Sequence, residues 1–368
     1  MDQSSCGWNT PRFSRPFFAA WCQWSHLRTR QPLSIAESDA GVMDLHLPNP
    51  DQSIESRALG CLAGLAVGNV LGLATESRFR EQARAMLGSE GPLLRLPLEE
   101  RQRVWDDDLA MAMALAGCLI RLPSDATHLD TSELLGAYLD WFRGGARGIG
   151  GLTREVLTKT LAGEARAAER VWQSRCERGA RPLGNGAAMR VAPLGVAFAG
   201  RPERIARLAA EDAALTHWDP ACRQSAGAVA LLAAALVRRE PDPLAFTRQH
   251  LGSLEAEVSE ALVPVPLEEL HAQRLDGWDM GSTLLALKVA VSVLASGLPY
   301  PEGVLWTLRQ GGDTDTHGAI MGALLGARDG LAAIPLDWRA CVPEGDRILR
   351  MAWALLRRSS VPTQEVTR

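Results

Sequence analysis

Two short stretches hold most of the chemistry-bearing oxygen of this chain. One is Gly311-Gly312-Asp313-Thr314-Asp315-Thr316, set between apolar runs at 303–308 and 319–325. Its two glycines let the backbone turn sharply. Two carboxylates and two hydroxyls follow at once, and then a small-residue segment with helical spacing. The pattern reads as a loop entering a helix N-terminus with hard oxygen donors crowded on it, a set that suits Mg²⁺, Mn²⁺ or Ca²⁺ better than zinc. The plain alternative is an acidic N-cap, because Asp and Thr are favoured caps and their charge suits the helix dipole. The second stretch, Trp105-Asp106-Asp107-Asp108, has the same grammar and also precedes a small-residue helix, at 109–120. One cap needs one side-chain oxygen, and three consecutive carboxylates repel one another unless a cation or several donors neutralise them. Two acidic helix starts on separate parts of the chain can meet around a shared metal centre, of the kind that activates a water and clamps oxygens during hydrolysis.

A third stretch, Gly184-Asn185-Gly186-Ala187-Ala188-Met189-Arg190, is a glycine-flanked turn running into a helix expected over 187–199. Exposed backbone N–H groups at such a point bind anions, though Asn-Gly is also the commonest turn pair. His217, in Thr216-His217-Trp218-Asp219-Pro220, is either a ligand contact or a residue that caps the following helix.

The elements that must position these groups read as helices throughout. Residues 54–74 are apolar or small at almost every position, the mark of a buried helix, and Glu76 closes the segment. Gly60, Gly64, Gly68 and Gly72 recur every four residues and make one smooth helical face. Each costs about 1 kcal/mol of helix propensity relative to Ala, so the stripe implies close packing of another backbone or access for a ligand. Residues 77–104 look loop-like. Helices follow at 109–122, 131–142, 152–161, 165–176, 202–215 and 221–239, with a Gly-rich loop at 143–151. The segment 241–272 is amphipathic and peripheral, 281–296 is core, and 338–358 ends the domain. No β alternation persists and no repeat of fixed period is visible. The expectation is an all-α fold, one domain of about 300 residues around very apolar central helices.

Composition bounds the function classes. The chain has 368 residues, 46% hydrophobic and 22% charged, enough for a large core. A formal net charge of −4 gives no general attraction to nucleic acid. Seven scattered cysteines include no CxxC pair, which fits a reducing cytoplasm better than secretion. Cys61 and Cys118 fall in apolar helical runs and read as buried thiols. No apolar run reaches transmembrane length without interruption by Gly or charge, so no membrane partner is expected. Residues 1–50 differ from the rest, with Trp8, Trp21, Trp24 and several Phe among Arg, Ser and Pro. They lack a signal peptide's pattern and read as a poorly ordered extension, with Met43 as an alternative start. The organisation expected is this extension, a domain over 51–358 and a polar tail over 359–368.

Taken together, the motifs resemble those of the ADP-ribosylglycohydrolase family, over about residues 54 to 356 in consistent order. The carrying residues run from Ser56-Arg57-Ala58-Leu59-Gly60 to Glu76, then Trp105 to Met111, Gly184 to Arg190, Thr216-His217 and Gly311 to Thr316. The resemblance implies a compact helical fold with a binuclear centre of two Mg²⁺ or Mn²⁺ ions in a cleft. Carried over residue by residue, it implies Asp106, Asp107, Asp108, Asp313, Asp315 and Thr316 as metal ligands. Gly184, Asn185, Gly186 and His217 would contact ADP-ribose. Glu76, Asp108 and Asp315 would be the catalytic carboxylates near the scissile bond. The activity implied is hydrolysis of the glycosidic bond of an ADP-ribosylated protein side chain or a related ADP-ribose conjugate.

Three departures bear on that reading. The family's usual Thr-Asp-Asp-Thr is here Asp106-Asp107-Asp108-Leu109: the first Asp still offers an oxygen, while Leu109 removes a hydroxyl. Asn69 stands where the family normally has Asp, which should cost a structural hydrogen-bond partner. Gly148 sits where nitrogenase-type members carry a catalytic acidic residue, which weighs against an arginine-linked substrate. The rivals are a catalytically impaired member that binds ADP-ribose or serves structurally, and a hydrolase of another small metabolite, since fold does not fix substrate.

Overall fold

Glycine spacing decides how the centre of the molecule is built. In the computed structural model the described residues are 53–88, 105–123 and 125–359. The expectations for residues 1–50, for the loop 89–104 and for the tail beyond Ser359 lie outside them. Helix α1 (Ile54–Gly72) starts at Ser53, whose hydroxyl accepts from the Ser56 N–H at 3.1 Å, and is buried along almost its whole length. The chain then gives α2 (Arg80–Leu87), α3 (Asp107–Arg121), α4 (Thr131–Arg143), α5 (Gly151–Leu161), α6 (Ala167–Glu177), α7 (Ala192–Ala197), α8 (Ile205–Ala214) and α9 (Pro220–Arg238). It continues with α10 (Pro243–Leu251), α11 (Ala256–Ala261), α12 (Leu267–Ala272), α13 (Thr283–Ala295), α14 (Tyr300–Leu308), α15 (Thr314–Asp329), α16 (Leu336–Ala340) and α17 (Gly345–Arg358).

α1 and α15 lie antiparallel with their backbones in contact. Gly60 faces Gly326, Gly64 faces Gly322 and Gly68 faces Gly318, and a Cβ added at any of them would fall inside the opposite carbonyl group. Such an approach leaves only Cα–H and carbonyl groups at the interface, a weak but repeated contact. Of the two uses open to the glycine stripe, packing is the one the structure shows. The register also places the C-terminus of α1 beside the N-terminus of α15. The Thr314 hydroxyl donates to the Gly72 carbonyl at 2.8 Å, and the Thr75 hydroxyl donates to Thr314 Oγ1 at 3.1 Å. Glu76 and Asp313 are brought to one place by this pairing.

The all-α expectation holds: among the described residues the extended pairing consists of two isolated bridges, Arg78 with Gly312 and Gly184 with Ser282. Several local expectations do not. The stretch read as loop contains α2. The helix expected over 187–199 shrinks to α7, because residues 186–190 form turns that carry the Arg190 side chain into the interior. The segment 241–272, read only as amphipathic and peripheral, is built of three short helices, interrupted at Gly252 (φ 75°) and at Pro264 and Pro266. The closing segment 338–358 holds the end of α16 and the whole of α17. Two helices, Ile54–Gly72 and Pro220–Arg238, are after all long and apolar enough to cross a membrane by composition. In each, 83% of the apolar window is buried inside the protein, so central packing accounts for their character. Cys61 and Cys118 are buried free thiols, and burial pushes them up to about 12 and about 11.

Candidate active site

The two acidic helix starts meet. Asp106, at the N-cap of α3, accepts from the Leu109 N–H at 3.5 Å and from Asn69 Nδ2 of α1 at 2.9 Å. The Asn69 amide donates where a second carboxylate would repel Asp106, while Asn69 Oδ1 is buried without a partner. The Leu109 side chain is fully buried in the core, so this position serves the cluster only through its backbone N–H. Asp107 and Asp108 follow in the first turn, both buried, and one oxygen from each of Asp106, Asp107 and Asp108 lies within 4.8 Å of the others. Both oxygens of Asp108 are buried without a hydrogen-bond partner.

Asp313 holds the matching position before α15, yet its side chain makes no cap hydrogen bond. Its Oδ2 instead accepts from Asn185 Nδ2 at 2.7 Å. The turn before it is locked by φ values of 72° at Gly311 and 79° at Gly312, a region that favours glycine. It is also paired to a remote segment: Ser77 N–H donates to the Gly312 carbonyl and Gly312 N–H to the Arg78 carbonyl, each at 2.8 Å. Asp315 and Thr316 are buried in the first turn of α15, and Asp315 Oδ1 has no partner.

The convergence sets the charge balance of the site. Burial, then repulsion from Asp106, Asp315, Asp107 and Asp313, holds the Asp108 carboxyl well above its ordinary range. Asp315 is raised likewise by burial and by Asp313, Glu76 and Asp106. Asp107 is pushed up to about 7, by burial first and then Asp106. Asp106 is pushed up to about 6, with burial outweighing the Asn69 hydrogen bond. Glu76, half-buried, is raised by burial and by Asp313. Five carboxylates whose ionisation is opposed by burial and by neighbouring negative charge, two of them with orphaned oxygens, are stable together as anions only with a cation among them. The donor chemistry therefore fits a hard divalent ion.

The glycine-flanked loop closes one side. Asn185 is committed from both ends, its amide to Asp313 and its backbone N–H to the Gly281 carbonyl at 3.0 Å. Gly184 and Gly186 lie over the His217 ring: a Cβ at Gly186 would stand 2.7 Å from His217 Cε1. The helix after His217 is capped by Asp219, which accepts from the Ala221 N–H at 2.9 Å, so His217 is not its cap. Gly148 (φ 70°) covers the acidic triad, and a Cβ there would lie 2.5 Å from Asp107 Oδ1. The structure thus brings together every carboxylate singled out from the sequence, and it sets the loop beside them. Asn69 as a donor, and Arg190 with Asp212 and Tyr138 beneath His217, were not foreseen. A charged residue inside an apolar run was the signal for Arg190.

Buried carboxylates with free oxygens at two helix starts, beside a backbone-rich loop, define a site for hydrolytic chemistry. The family model described as ADP-ribosylglycohydrolase matches residues 50–365. The chain belongs to that family and is a hydrolase acting on glycosyl bonds. It is 25% identical over 342 residues to an ADP-ribosylarginine hydrolase of Serratia proteamaculans, covering 90% of this chain and 88% of that protein. It is 25% identical over 299 residues to the ADP-ribosyl-[dinitrogen reductase] glycohydrolase of Rhodospirillum rubrum, covering 78% and 90%. A solved structure described as an ADP-ribosylglycohydrolase-related protein complex matches with a TM-score of 0.62 at 26% identity, covering 84% of this chain and 100% of that one.

Proposed function

We propose that the protein releases ADP-ribose from ADP-ribosylated protein side chains, or from a related ADP-ribose conjugate, with Mg²⁺ or Mn²⁺ at the acidic cluster. The observation that carries this is the pair of orphaned buried carboxylates, Asp108 and Asp315, at the junction of two helix starts. Asp106, Asp107, Asp108, Asp313, Asp315 and Thr316 would hold one or two divalent ions. Such ions, when bound, supply Lewis acidity and lower the pKa of a water.

The chain's own groups account for the rest. Glu76 keeps its proton to higher pH than a free carboxylate, which suits proton exchange at the scissile bond. Asp108 and Asp315 place negative charge where an oxocarbenium-like centre develops. The N–H groups of Gly186 and Ala187 have no backbone acceptor among the described residues, and α5 (Gly151–Leu161) has Gly150 at its N-cap and so no side-chain cap. Both features favour seating of a diphosphate. Remote binding of that kind positions the sugar for attack. The tight fit of Gly148 on Asp107 leaves no room there for an acidic side chain, which favours a linkage other than the arginine one.

The test is release of free ADP-ribose from arginine-linked and serine-linked substrates with Mg²⁺, Mn²⁺ or EDTA, beside an Asp313→Ala, Asp315→Ala double variant. Metal-dependent release that falls by about 1000-fold or more in the variant is expected. No release with ions still bound would direct the reading to another glycosidic substrate. No release and no ion binding would leave an ADP-ribose-binding or structural protein.

A further inference from the structure

Beneath the glycine-flanked loop lies a fully buried network that ends on His217. Arg190 and Asp212 have no exposed surface. Arg190 Nε donates to Asp212 Oδ2 at 3.0 Å and Nη2 to the Asp212 carbonyl at 2.9 Å. The Tyr138 hydroxyl donates to Asp212 Oδ1 at 2.6 Å. Arg190 Nη1 donates to the Gly186 carbonyl at 3.2 Å and to Thr216 Oγ1 at 3.0 Å. Thr216 Oγ1 in turn lies 2.8 Å from His217 Nδ1.

The direction of that last bond follows from donor count. Arginine has only donors, so Thr216 Oγ1 must accept from it. The Thr216 hydroxyl hydrogen then needs an acceptor of its own, and His217 Nδ1 is the one within reach. An Nδ1–H ring would leave the hydroxyl hydrogen unsatisfied in a site where Thr216 is fully buried, at a real energetic cost. His217 is neutral: burial first, and then the Arg190 charge, bring it down to about 3. Its one ring hydrogen is therefore on Nε2. That atom sits under the loop, 3.0 Å from where a Cβ of Gly186 would be and 3.1 Å from one of Gly184. It has no protein acceptor among the described residues.

We propose that Arg190 and Thr216 are positioning residues that hold His217 as its Nε2–H tautomer, so that the ring presents a neutral donor to an acceptor oxygen of ADP-ribose. The proposal rests on the ADP-ribose reading of the site. It names the ligand group as a hydroxyl, carbonyl or phosphate oxygen and excludes a donor-only group such as a guanidinium. It also gives Gly184 and Gly186 a second reason to lack side chains: either Cβ would occupy the space of the donor.

The test uses the full chain labelled with ¹⁵N-histidine, without ligand, as wild type, Thr216→Val and Thr216→Ser, with a His217→Gln variant to assign the signal. Arg190 itself is left intact, since removing it would strand a buried Asp212 charge. Wild type and Thr216→Ser should show a protonated Nε2 and a bare Nδ1, and Thr216→Val a mixture or the opposite form. A protonated Nδ1 in the wild type, or the same tautomer in Thr216→Val, overturns the proposal. Calorimetry with ADP-ribose should show about tenfold weaker binding for Thr216→Val and recovery in Thr216→Ser. Equal affinity in all three overturns the donor role. An Nε2–H ring in a wild type that binds no ADP-ribose would sink the proposed function and leave the tautomer assignment standing.

Discussion

Asp106 and Asp313 occupy the same local position, one residue before a helix, and answer to different partners. Asp106 caps its own helix through Leu109 N–H and takes a second bond from Asn69 on α1. Asp313 caps nothing; its carboxylate is held by Asn185, which lies 128 residues away in sequence. The first acidic start is thus anchored by its helix and one neighbour. The second is held by remote segments, through Asn185 and through the pairing of Gly312 with Arg78. One grammar in sequence gives two mechanical arrangements, and a disturbance in the loop 184–186 should be felt at α15 far more than at α3.

The largest way to break the comparison is to separate the two starts. Gly64→Ala replaces a poor helix former with the best one, which at an exposed site would stabilise by about 1 kcal/mol. Here the added methyl meets the Gly322 carbonyl, and a net loss of about 3 kcal/mol or more is expected in urea unfolding. A stabilised variant would show that the α1–α15 backbone contact is not what joins the halves.

A smaller effect follows from the shared charge. In ion-free protein Asp106 is raised to about 6 and Asp107 to about 7, with Asp108 and Asp315 raised as well. The folded state then holds protons that the unfolded chain has already released. The stability this contributes is complete below about pH 4 and is lost as pH rises through about 6 to 7. In EDTA, unfolding free energy should drop by on the order of 2 kcal/mol between about pH 4.5 and about pH 7.5, and Mg²⁺ should restore it. Stability that rises over that interval in EDTA would contradict the cluster as described.

The finest test compares the two aspartates directly. Asp106→Ala removes a cap and strands the Asn69 amide, and should cost about 1 kcal/mol of stability. Asp313→Ala strands the Asn185 amide but removes no cap, and should cost less, about 0.5 kcal/mol. Equal losses in urea unfolding would erase the distinction between the two starts.

Much of the site was legible because its chemistry needs particular side chains. Hard oxygen donors, two glycines before them and a glycine-flanked loop can be recognised from type and spacing alone. Arg190 shows where legibility stops. A charge in an apolar run must have a partner, but Glu211 and Asp212 are adjacent on α8, and only packing puts Asp212 against it. The overlong helix at 187–199 is the same error seen from the backbone: local propensity could not report the pull of Asp212 and Thr216 on Arg190.

By itself, the sequence determined one buried helix with a four-residue glycine period, two acidic helix starts and an all-α architecture. Those features depend on local periodicity and side-chain type. Tertiary structure alone decided the register that sets Gly64 on Gly322, and with it the meeting of Asn69 with Asp106 and of Glu76 with Asp313. Burial and the balance of charge depend on neighbours distant along the chain, and no local pattern encodes which ones they will be.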